Sequence, residues 1–394
     1  MPLELTLVIV SSLILLGILL HKPSATLGIP SLLIFIGVGL AFGNGEFNFV
    51  YDNLTLTSVI GTMALNVIVF VGGLNTPLGN IRIAWREGGM LSTLGVVLTT
   101  LILAALLHLT TEFSPLICVL FAAVVSSTDA AAVFSILESK KLKLKQHADT
   151  VLEFESATND PVALLLVVTL TSLVMAGGPA PAPTEIALSL GLQLGIGLLM
   201  GLGAAWLAVT LLNAIHLEEY GLIPVYILAC FLMITYGSDL LGGNILVASY
   251  AAGVLFGNLV KRGRHTIKHF FNSLSWLAQS LMFVILGLQF FPNSLIQDAS
   301  SAIVPALTLI LVARPLAVFL SYLPFRGVSV NKKLFISAIG LKGATPIVFA
   351  LIPAAAGVEG AQQMVHMVFF IVVISVVVQS LALEPLAKVL KLKQ

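Results

Sequence analysis

Charged residues are scarce in this sequence. Asp, Glu, Lys and Arg make up only 9% of its 394 residues, whereas ordinary soluble domains carry roughly 25%. Cysteine is rarer still: Cys118 and Cys230 lie in separate apolar stretches, so neither a disulfide nor a cysteine metal motif is expected. The sequence also lacks a nucleotide-binding fingerprint, zinc-ligand spacing and a nucleophile–base set. These absences argue against a soluble domain, an enzyme and a resident cofactor.

Apolar residues dominate instead, at 58% of the chain, and they fall into long runs. Because a membrane-crossing helix needs roughly 20 apolar residues, the runs predict about 13 transmembrane helices and an all-α polytopic membrane protein. The predicted spans are residues 3–20, 27–43, 54–74, 88–109, 115–137, 150–176, 185–212, 221–238, 245–260, 270–291, 301–323, 333–357 and 362–386. The first span lacks a basic leader and a small-residue cleavage site, so we expect a retained helix rather than a signal peptide.

The basic residues are distributed asymmetrically between the loops. If successive loops are assigned alternately to two sides, every Lys and Arg outside the spans falls on one side, including the clusters at 140–145 and 261–268. The positive-inside rule makes this side cytoplasmic, which predicts an external N-terminus and a cytoplasmic C-terminus. Because topology accounts for the basic clusters, they do not indicate a nucleic-acid partner.

A Gly- and Pro-rich stretch near mid-chain, residues 177–184, is the only segment that resembles a linker. We therefore expect a single transmembrane domain with two halves, about 1–176 and 185–394, and no soluble C-terminal regulatory domain. Transporters often consist of inverted repeats with a broken helix at corresponding positions. The candidates for these breaks are residues 126–129 in span five and 340–346 in span twelve.

Carboxylates occur at membrane depth in spans five and six. Asp129 lies in the first of these, and Glu155 and Asp160 lie in the second. Membranes tolerate such groups where they pair internally or face a transport pathway. On a helix, Ser156 shares a face with Asp160, and Asn159 shares the neighbouring face with Glu155. Hard oxygen atoms on adjacent helices suit a desolvated monovalent cation, or a proton in its place, which indicates ion transport.

Asp129 follows Thr128 in a stretch of small side chains. If the chain unwinds there, the hydroxyl and the carbonyl of Thr128 become available as ligands. Two neighbouring carboxylates cannot both be ionised at modest cost without a cation, so cation and proton are expected to compete for one site. The predicted cation- and proton-binding residues are therefore Asp160, Asp129, Ser156 and Thr128, with the cation at Asp160 and Asp129.

Two cationic side chains also lie inside predicted spans. Arg314 cannot lose its proton, so it needs an anionic partner, and Glu155 is the partner that we predict. Together with Asn159 this pair would brace the site, although a purely structural ion pair is also a sufficient account of it. Lys342, within the break in span twelve, is expected to compensate the charge of facing helix ends. His366, in the last span, is a candidate pH sensor, but a structural role is the simpler expectation.

These motifs carry a family resemblance. Residues 126–134 (SSTDAAAVF), followed by Glu155-Ser156 and by Asn159-Asp160-Pro161, resemble the core of the monovalent cation:proton antiporters. Within them the chain is similar to the sodium/proton exchanger branch, in which asparagine precedes the aspartate, and it is closest to bacterial potassium/proton antiporters of that branch. The likeness extends over nearly the whole chain, through residues 71–74, 253–258, 314–315 and 340–343.

The resemblance implies the sodium/proton antiporter fold, an inverted repeat in which spans five and twelve are unwound and cross. It also implies a core domain that moves against a dimerisation domain, and a homodimer in a bacterial inner membrane. Asp160 would bind the ion and the proton, assisted by the other three predicted binding residues. Two positions depart from the pattern: Val71 stands where many relatives carry an acidic residue, and Lys342 where many carry arginine. Close bacterial relatives also carry a cytosolic regulatory tail.

The expected function is secondary active antiport of K⁺ or Na⁺ against H⁺ by alternating access. By the same resemblance, asparagine at position 159 predicts one-for-one, electroneutral exchange. The main alternative is a gated cation channel that uses the same carboxylates for selectivity, but no repeated filter or pore loop is visible. The choice between K⁺ and Na⁺ is left open, because both ions use the same oxygen ligands.

Overall fold

The computed structural model describes residues 3–27, 31–43, 51, 53–129, 144–177, 182–215 and 219–393. Within these ranges the chain is almost entirely helical. The helices, in chain order, are α1 (Leu3–Leu27), α2 (Ser31–Phe42), α3 (Leu54–Asn75), α4 (Leu78–Met90), α5 (Val96–Thr110), α6 (Pro115–Val124), α7 (Ala148–Ala176), α8 (Pro183–Ile215), α9 (Leu222–Leu240), α10 (Ile245–Leu259), α11 (Arg264–Gln289), α12 (Pro292–Thr308), α13 (Arg314–Ser321), α14 (Val330–Ala338), α15 (Ala344–Ala355) and α16 (Ala361–Val389). π-Helical turns at Leu91–Gly95 and Leu309–Ala313 join α4 to α5 and α12 to α13.

Eight helical stretches are long and apolar enough to cross a membrane, and five shorter apolar helices accompany them in the described part of the chain. Each corresponds to one predicted span, so the all-α polytopic class is confirmed. The boundaries differ clearly in span four, which begins at Leu78 rather than at residue 88. Its first turns carry Arg82 and Arg86. Arginine is a good helix former, but its charge lowers the local hydropathy from which the start of the span was predicted. Residues 130–137 of span five lie outside the described residues.

The helices pack as two groups. The first contains α1–α3 and α8–α11, the second contains α4–α7 and α12–α16, and the two meet chiefly where α3 packs on α15 and α10 packs on α7. Within the first group the backbones approach closely. A Cβ atom on Gly253 of α10 would overlap the Phe70 carbonyl of α3, and one on Gly287 of α11 would overlap the Ile36 carbonyl of α2. Small residues allow such contact between membrane helices, so this group packs as a tight body.

The start of α10 links the two groups. Asn244 Oδ1 accepts the N–H groups of Leu246 and Val247 at 2.9 and 3.1 Å, the arrangement for which asparagine is favoured at a helix N-terminus. Its Nδ2 donates to the Pro161 carbonyl of α7 at 3.0 Å. The Asn244 side chain therefore caps the N-terminus of α10 and also links α10 to α7, the helix that carries the predicted site.

Loops that the charge pattern assigns to one side meet in the structure. The Lys145 N–H donates to the Leu392 carbonyl at 2.7 Å, and Ser329 Oγ donates to Gln146 Oε1 at 2.8 Å. At the other end, a cavity of about 410 Å³ is lined by residues of two loops assigned to the acidic side, Glu112 and Glu359 among them. These loop contacts agree with the predicted alternation, whereas residues 140–143 of the basic cluster and 178–181 of the linker lie outside the described residues.

Candidate ion-binding site

Both predicted spans, five and twelve, contain unwound residues, and the two unwound segments contact each other. α6 ends at Val124, and span twelve, predicted as one stretch over 333–357, consists of α14 and α15 with residues 339–343 unwound between them. The Asp129 N–H donates to the Leu341 carbonyl at 2.8 Å, which joins one break to the other. The contact between the two unwound segments agrees with the predicted crossing. The remainder of span five, beyond Asp129, lies outside the described residues.

Lys342 bridges the two breaks with its side chain. Its Nζ donates to the carbonyl oxygens of Ser126 and Ser127 at 3.1 and 2.8 Å. These carbonyls follow the C-terminal end of α6, where the helix dipole is negative. The ammonium group therefore lies where the sequence had suggested charge compensation, and it is 1% exposed.

Two polar side chains of α16 satisfy the unwound backbone of span twelve. Ser375 Oγ accepts the Lys342 N–H at 2.9 Å, and Gln379 Nε2 donates to the Ala338 carbonyl at 2.9 Å. Ser375 also donates to Gln379 Oε1 at 2.6 Å. Non-helical backbone at membrane depth requires such internal partners. Neither Ser375 nor Gln379 was predicted from the sequence.

Thr128 meets the polar face of α7. Its Oγ1 accepts a hydrogen bond from Asn159 Nδ2 at 2.6 Å and lies 2.8 Å from Ser156 Oγ, where either hydroxyl can donate. All three side chains are buried. Thr128, Ser156 and Asn159 are thus brought together by the approach of the first break to α7, as the sequence predicted for residues on adjacent spans.

Asp160 is buried beside this group and is incompletely paired. Its Oδ2 accepts a hydrogen bond from Thr345 Oγ1 at 3.2 Å, whereas Oδ1 has no hydrogen-bond partner among the described residues. The Asp129 carboxylate is close enough to repel it electrostatically. Ser127 also lies next to Asp160, without a well-aligned hydrogen bond between the two side chains.

Several buried oxygens at this place lack a donor in the described structure: Asp160 Oδ1, Asn159 Oδ1 and Ser127 Oγ. Buried polar atoms are normally paired, so each exception points to a missing partner. Carboxylate, carbonyl and hydroxyl oxygens are the ligands that hard cations prefer. The buried oxygens lie among the residues that the sequence proposed for the site, and Ser127 and Thr345 are additional residues near Asp160.

The N-terminus of α15 faces the two carboxylates. Thr345 is the second residue of α15, and a Cβ atom on Gly343, the residue before the helix, would overlap the Asp129 carboxylate. The first N–H groups of a helix are unpaired and carry partial positive charge, which stabilises anions. The start of α15 therefore places Asp129 and Asp160 where negative charge is favourable.

Glu155 and Arg314 form the predicted buried ion pair. Glu155 Oε1 lies 2.6 Å from an Arg314 guanidinium nitrogen, with the side chains 0% and 3% exposed. The approach is that of an ion pair rather than of an aligned hydrogen bond. The π-helical turn Leu309–Ala313 ends directly before Arg314, and such turns often occur at functional sites. Gly340 leaves room for the guanidinium, because a Cβ atom there would lie 3.0 Å from Arg314 Nε.

His366 has a partner at the end of the bundle assigned to the acidic loops. Its Nδ1 lies 2.7 Å from Asp298 Oδ2. Asp298 lies between the predicted spans 270–291 and 301–323, but α12 already includes it. The pair is consistent with the structural role that we expected for His366.

The family can now be assigned. The family described as "Sodium/hydrogen exchanger, transmembrane" matches residues 10–389. The chain belongs to this exchanger family. Among curated relatives it is 37% identical over 378 residues to the K(+)/H(+) antiporter NhaP2 of Shewanella oneidensis, covering 96% of the chain and 65% of the relative. It is 35% identical over 391 residues to the K(+)/H(+) antiporter NhaP of Alkalimonas amylolytica, covering 99% and 67%.

A solved structure also superposes on the chain. The sodium proton antiporter MjNhaP1 of Methanocaldococcus jannaschii, at pH 8, superposes with a TM-score of 0.86 at 20% identity, covering 99% of this chain and 100% of that chain. At this identity the likeness confirms the fold alone. The chain spans only about two thirds of the length of the NhaP2 relatives that it matches.

Proposed function

We propose that this chain is the membrane part of a secondary active antiporter that exchanges K⁺ or Na⁺ for H⁺ across a bacterial inner membrane. One observation carries the proposal: Asp160, buried in the broken-helix crossing, keeps one carboxylate oxygen unpartnered beside a second carboxylate. A buried charge without a fixed partner must be neutralised by a cation or by a proton. Either ion can complete the site, and the two compete for it.

Each predicted residue has a distinct proposed role. Asp160 binds the cation or the proton, and Asp129, Ser156 and Thr128 assist it with oxygen atoms. Glu155, Asn159 and Arg314 brace α7 and the crossing, because their polar groups contact one another or Thr128. Lys342 neutralises the carbonyl end of α6. The cation is a substrate of the site and not a resident cofactor.

Alternating access is supported by the two packed groups of helices. The group that carries the carboxylates meets the other group chiefly through α3 with α15 and α10 with α7. A movement of one group against the other would expose the site alternately to the two sides, as in many transporters. We propose an external N-terminus, a cytoplasmic C-terminus and a homodimer on the basis of the loop charges and of the family to which the chain belongs.

Loss of the Asp160 carboxylate tests the proposal. Proton movement is followed with a pH-sensitive dye in proteoliposomes after addition of K⁺, Na⁺ or Li⁺. The wild-type protein should move protons with at least one cation, and Asp160→Asn should abolish the signal. Asp239→Asn makes the same change at an exposed residue of α9 and should retain exchange. Normal exchange by Asp160→Asn would contradict the proposal, and cation flux without protons would favour a channel.

The proposed stoichiometry has its own measurement. One cation exchanged for one proton moves no net charge, so the exchange rate should not respond to an imposed membrane potential. A cycle that moved one net charge would respond, because 100 mV acts on a charge with about 2.3 kcal/mol. Comparing initial rates at zero and at 100 mV of either sign distinguishes the two. A steep dependence would contradict electroneutral exchange and leave the ion site itself in place.

A further inference from the structure

We propose that Thr345 is a further residue of the ion site, a hydroxyl ligand that helps to set the affinity for the cation. This inference rests on the proposed function. Thr345 is 3% exposed, and its Oγ1 donates to Asp160 Oδ2 at 3.2 Å, on the same carboxylate whose other oxygen is unpartnered. A cation that binds at Asp160 would therefore approach within reach of this hydroxyl.

The Thr345 hydroxyl donates to a carboxylate rather than to a carbonyl of its own helix. Several threonine hydroxyls in the described helices donate to the carbonyl four residues earlier, as Thr99 and Thr100 do to Gly95 and Val96. Thr345 is the second residue of α15, so the residue four positions earlier, Leu341, lies in the unwound break. The Leu341 carbonyl instead accepts the Asp129 N–H. Because no helical carbonyl is in place, the Thr345 hydroxyl is directed to the carboxylate.

A hydroxyl is suited to each state of an exchange cycle. It has one hydrogen to donate and two lone pairs to offer. While Asp160 is ionised and empty, the hydroxyl donates to it, as observed. When a cation enters, a lone pair can coordinate the cation, and when Asp160 carries the proton, the hydroxyl can accept from the carboxylic acid. A methyl group in the same place can do none of these.

The nearby charges set the direction of the expected effect. Asp129 repels the Asp160 carboxylate and Lys342 attracts it, although the ammonium hydrogen-bonds to the Ser126 and Ser127 carbonyls. Removing the hydroxyl withdraws one donor from the ionised carboxylate and one ligand from the cation. Hydrogen bonds to charged groups are among the stronger ones, so we expect a rise of roughly tenfold in the apparent KM for the cation. The maximal rate should change much less, and the pH at which exchange reaches half its maximal rate should rise.

The test compares variants that differ only in the hydroxyl. Thr345→Val keeps the side-chain shape and removes the hydroxyl, and Thr345→Ser restores it. Thr100→Val is the matched control, since that buried threonine donates only to its own helix. We expect the valine variant to show the raised KM and the shifted pH profile, and the serine variant and the control to resemble wild type. Initial rates of proton movement in proteoliposomes, measured over a range of cation concentrations, provide the KM.

A binding measurement tests the inference even if a variant transports too slowly for its KM to be determined. Cation-induced thermal stabilisation in detergent reports binding directly, and Thr345→Ala provides another hydroxyl-free variant. Wild-type KM, pH profile and cation stabilisation in both hydroxyl-free variants would overturn the inference. If Asp160→Asn is inactive in the same experiment, the proposed function stands and only the role of Thr345 fails. If Asp160→Asn exchanges normally, the proposed function itself fails.

Discussion

Glu155 and Asp160 lie five residues apart on α7, and both are buried. Glu155 lies 2.6 Å from the Arg314 guanidinium, so its charge has a fixed partner. Asp160 has one hydroxyl donor, one unpartnered oxygen and a second carboxylate nearby. The same helix thus holds one carboxylate with a fixed counter-ion and one with an unpartnered oxygen among the described residues. In the proposed function, this difference distinguishes the bracing residue from the ion-binding one.

Lys342 does not remove the difference. It is the buried cation whose charge acts on Asp160, but its Nζ is hydrogen-bonded to the Ser126 and Ser127 carbonyls. An ammonium held by two carbonyls compensates a helix end and stays in place. It therefore lowers the cost of negative charge near Asp160 without donating a hydrogen bond to the unpartnered Asp160 oxygen that we propose as a cation ligand.

The largest expected effect comes from breaking the fixed pair. Glu155→Leu or Arg314→Met alone leaves an uncompensated buried charge, and we expect each to lower the free energy of unfolding by about 3–5 kcal/mol. The double substitution removes both charges, so it should recover most of the loss. Thermal unfolding in detergent, at matched protein concentration, measures the three variants against wild type.

Asp160→Asn is the counterpart for the carboxylate without a fixed partner. It removes a charge that the described structure leaves unneutralised, so the unfolding temperature without added cation should stay at the wild-type value or rise. If Glu155→Leu and Arg314→Met lowered the unfolding temperature no more than Asp160→Asn does, the distinction between a fixed and a mobile counter-ion would be wrong.

Much of this arrangement could be predicted from the sequence. Glu155 and Arg314 could be paired in advance, because a guanidinium in a membrane span must have an anion and few are available. The broken spans were predicted from small and polar residues at 126–129 and 340–346, within otherwise apolar runs. The number of spans followed from hydropathy alone, since length and composition determine whether a helix crosses a bilayer.

The missed residues depend on geometry that spacing does not encode. Thr345 reaches Asp160 because α15 starts at Ala344, and sequence-based boundaries are uncertain by several residues. Ser375 and Gln379 lie in a long apolar helix, where a polar residue can face lipid, a neighbour or an unwound backbone. Only the position of α16 beside the break identifies their partners. For Thr345, the signal was its place in the break motif, but the direction of its hydroxyl was not predictable.

Gly340 and Gly343, in the unwound segment of span twelve, allow the surroundings of the Glu155/Arg314 pair and of Asp129 to be compared by adding one methyl group. A Cβ atom on Gly343 would overlap the Asp129 carboxylate, whereas one on Gly340 would lie 3.0 Å from Arg314 Nε and 3.4 Å from Thr128 Cγ2. Gly343→Ala must displace Asp129, so we expect a severe loss of exchange together with destabilisation of about 1–3 kcal/mol, as for other overpacked sites. Gly340→Ala adds a methyl group beside Arg314, whose long side chain can shift. The losses of exchange and of stability should therefore both be smaller.

Gly89→Ala is the control, since a Cβ atom there meets nothing within 4 Å. Exchange rates in proteoliposomes and unfolding temperatures in detergent are measured for the three variants together. The expected order of lost exchange is Gly343→Ala, then Gly340→Ala, then Gly89→Ala near wild type. Equal loss from Gly343→Ala and Gly340→Ala would mean that the two carboxylate regions respond as one unit. A loss confined to Gly343→Ala would mean that the position of Asp129 matters to exchange more than the packing around Arg314.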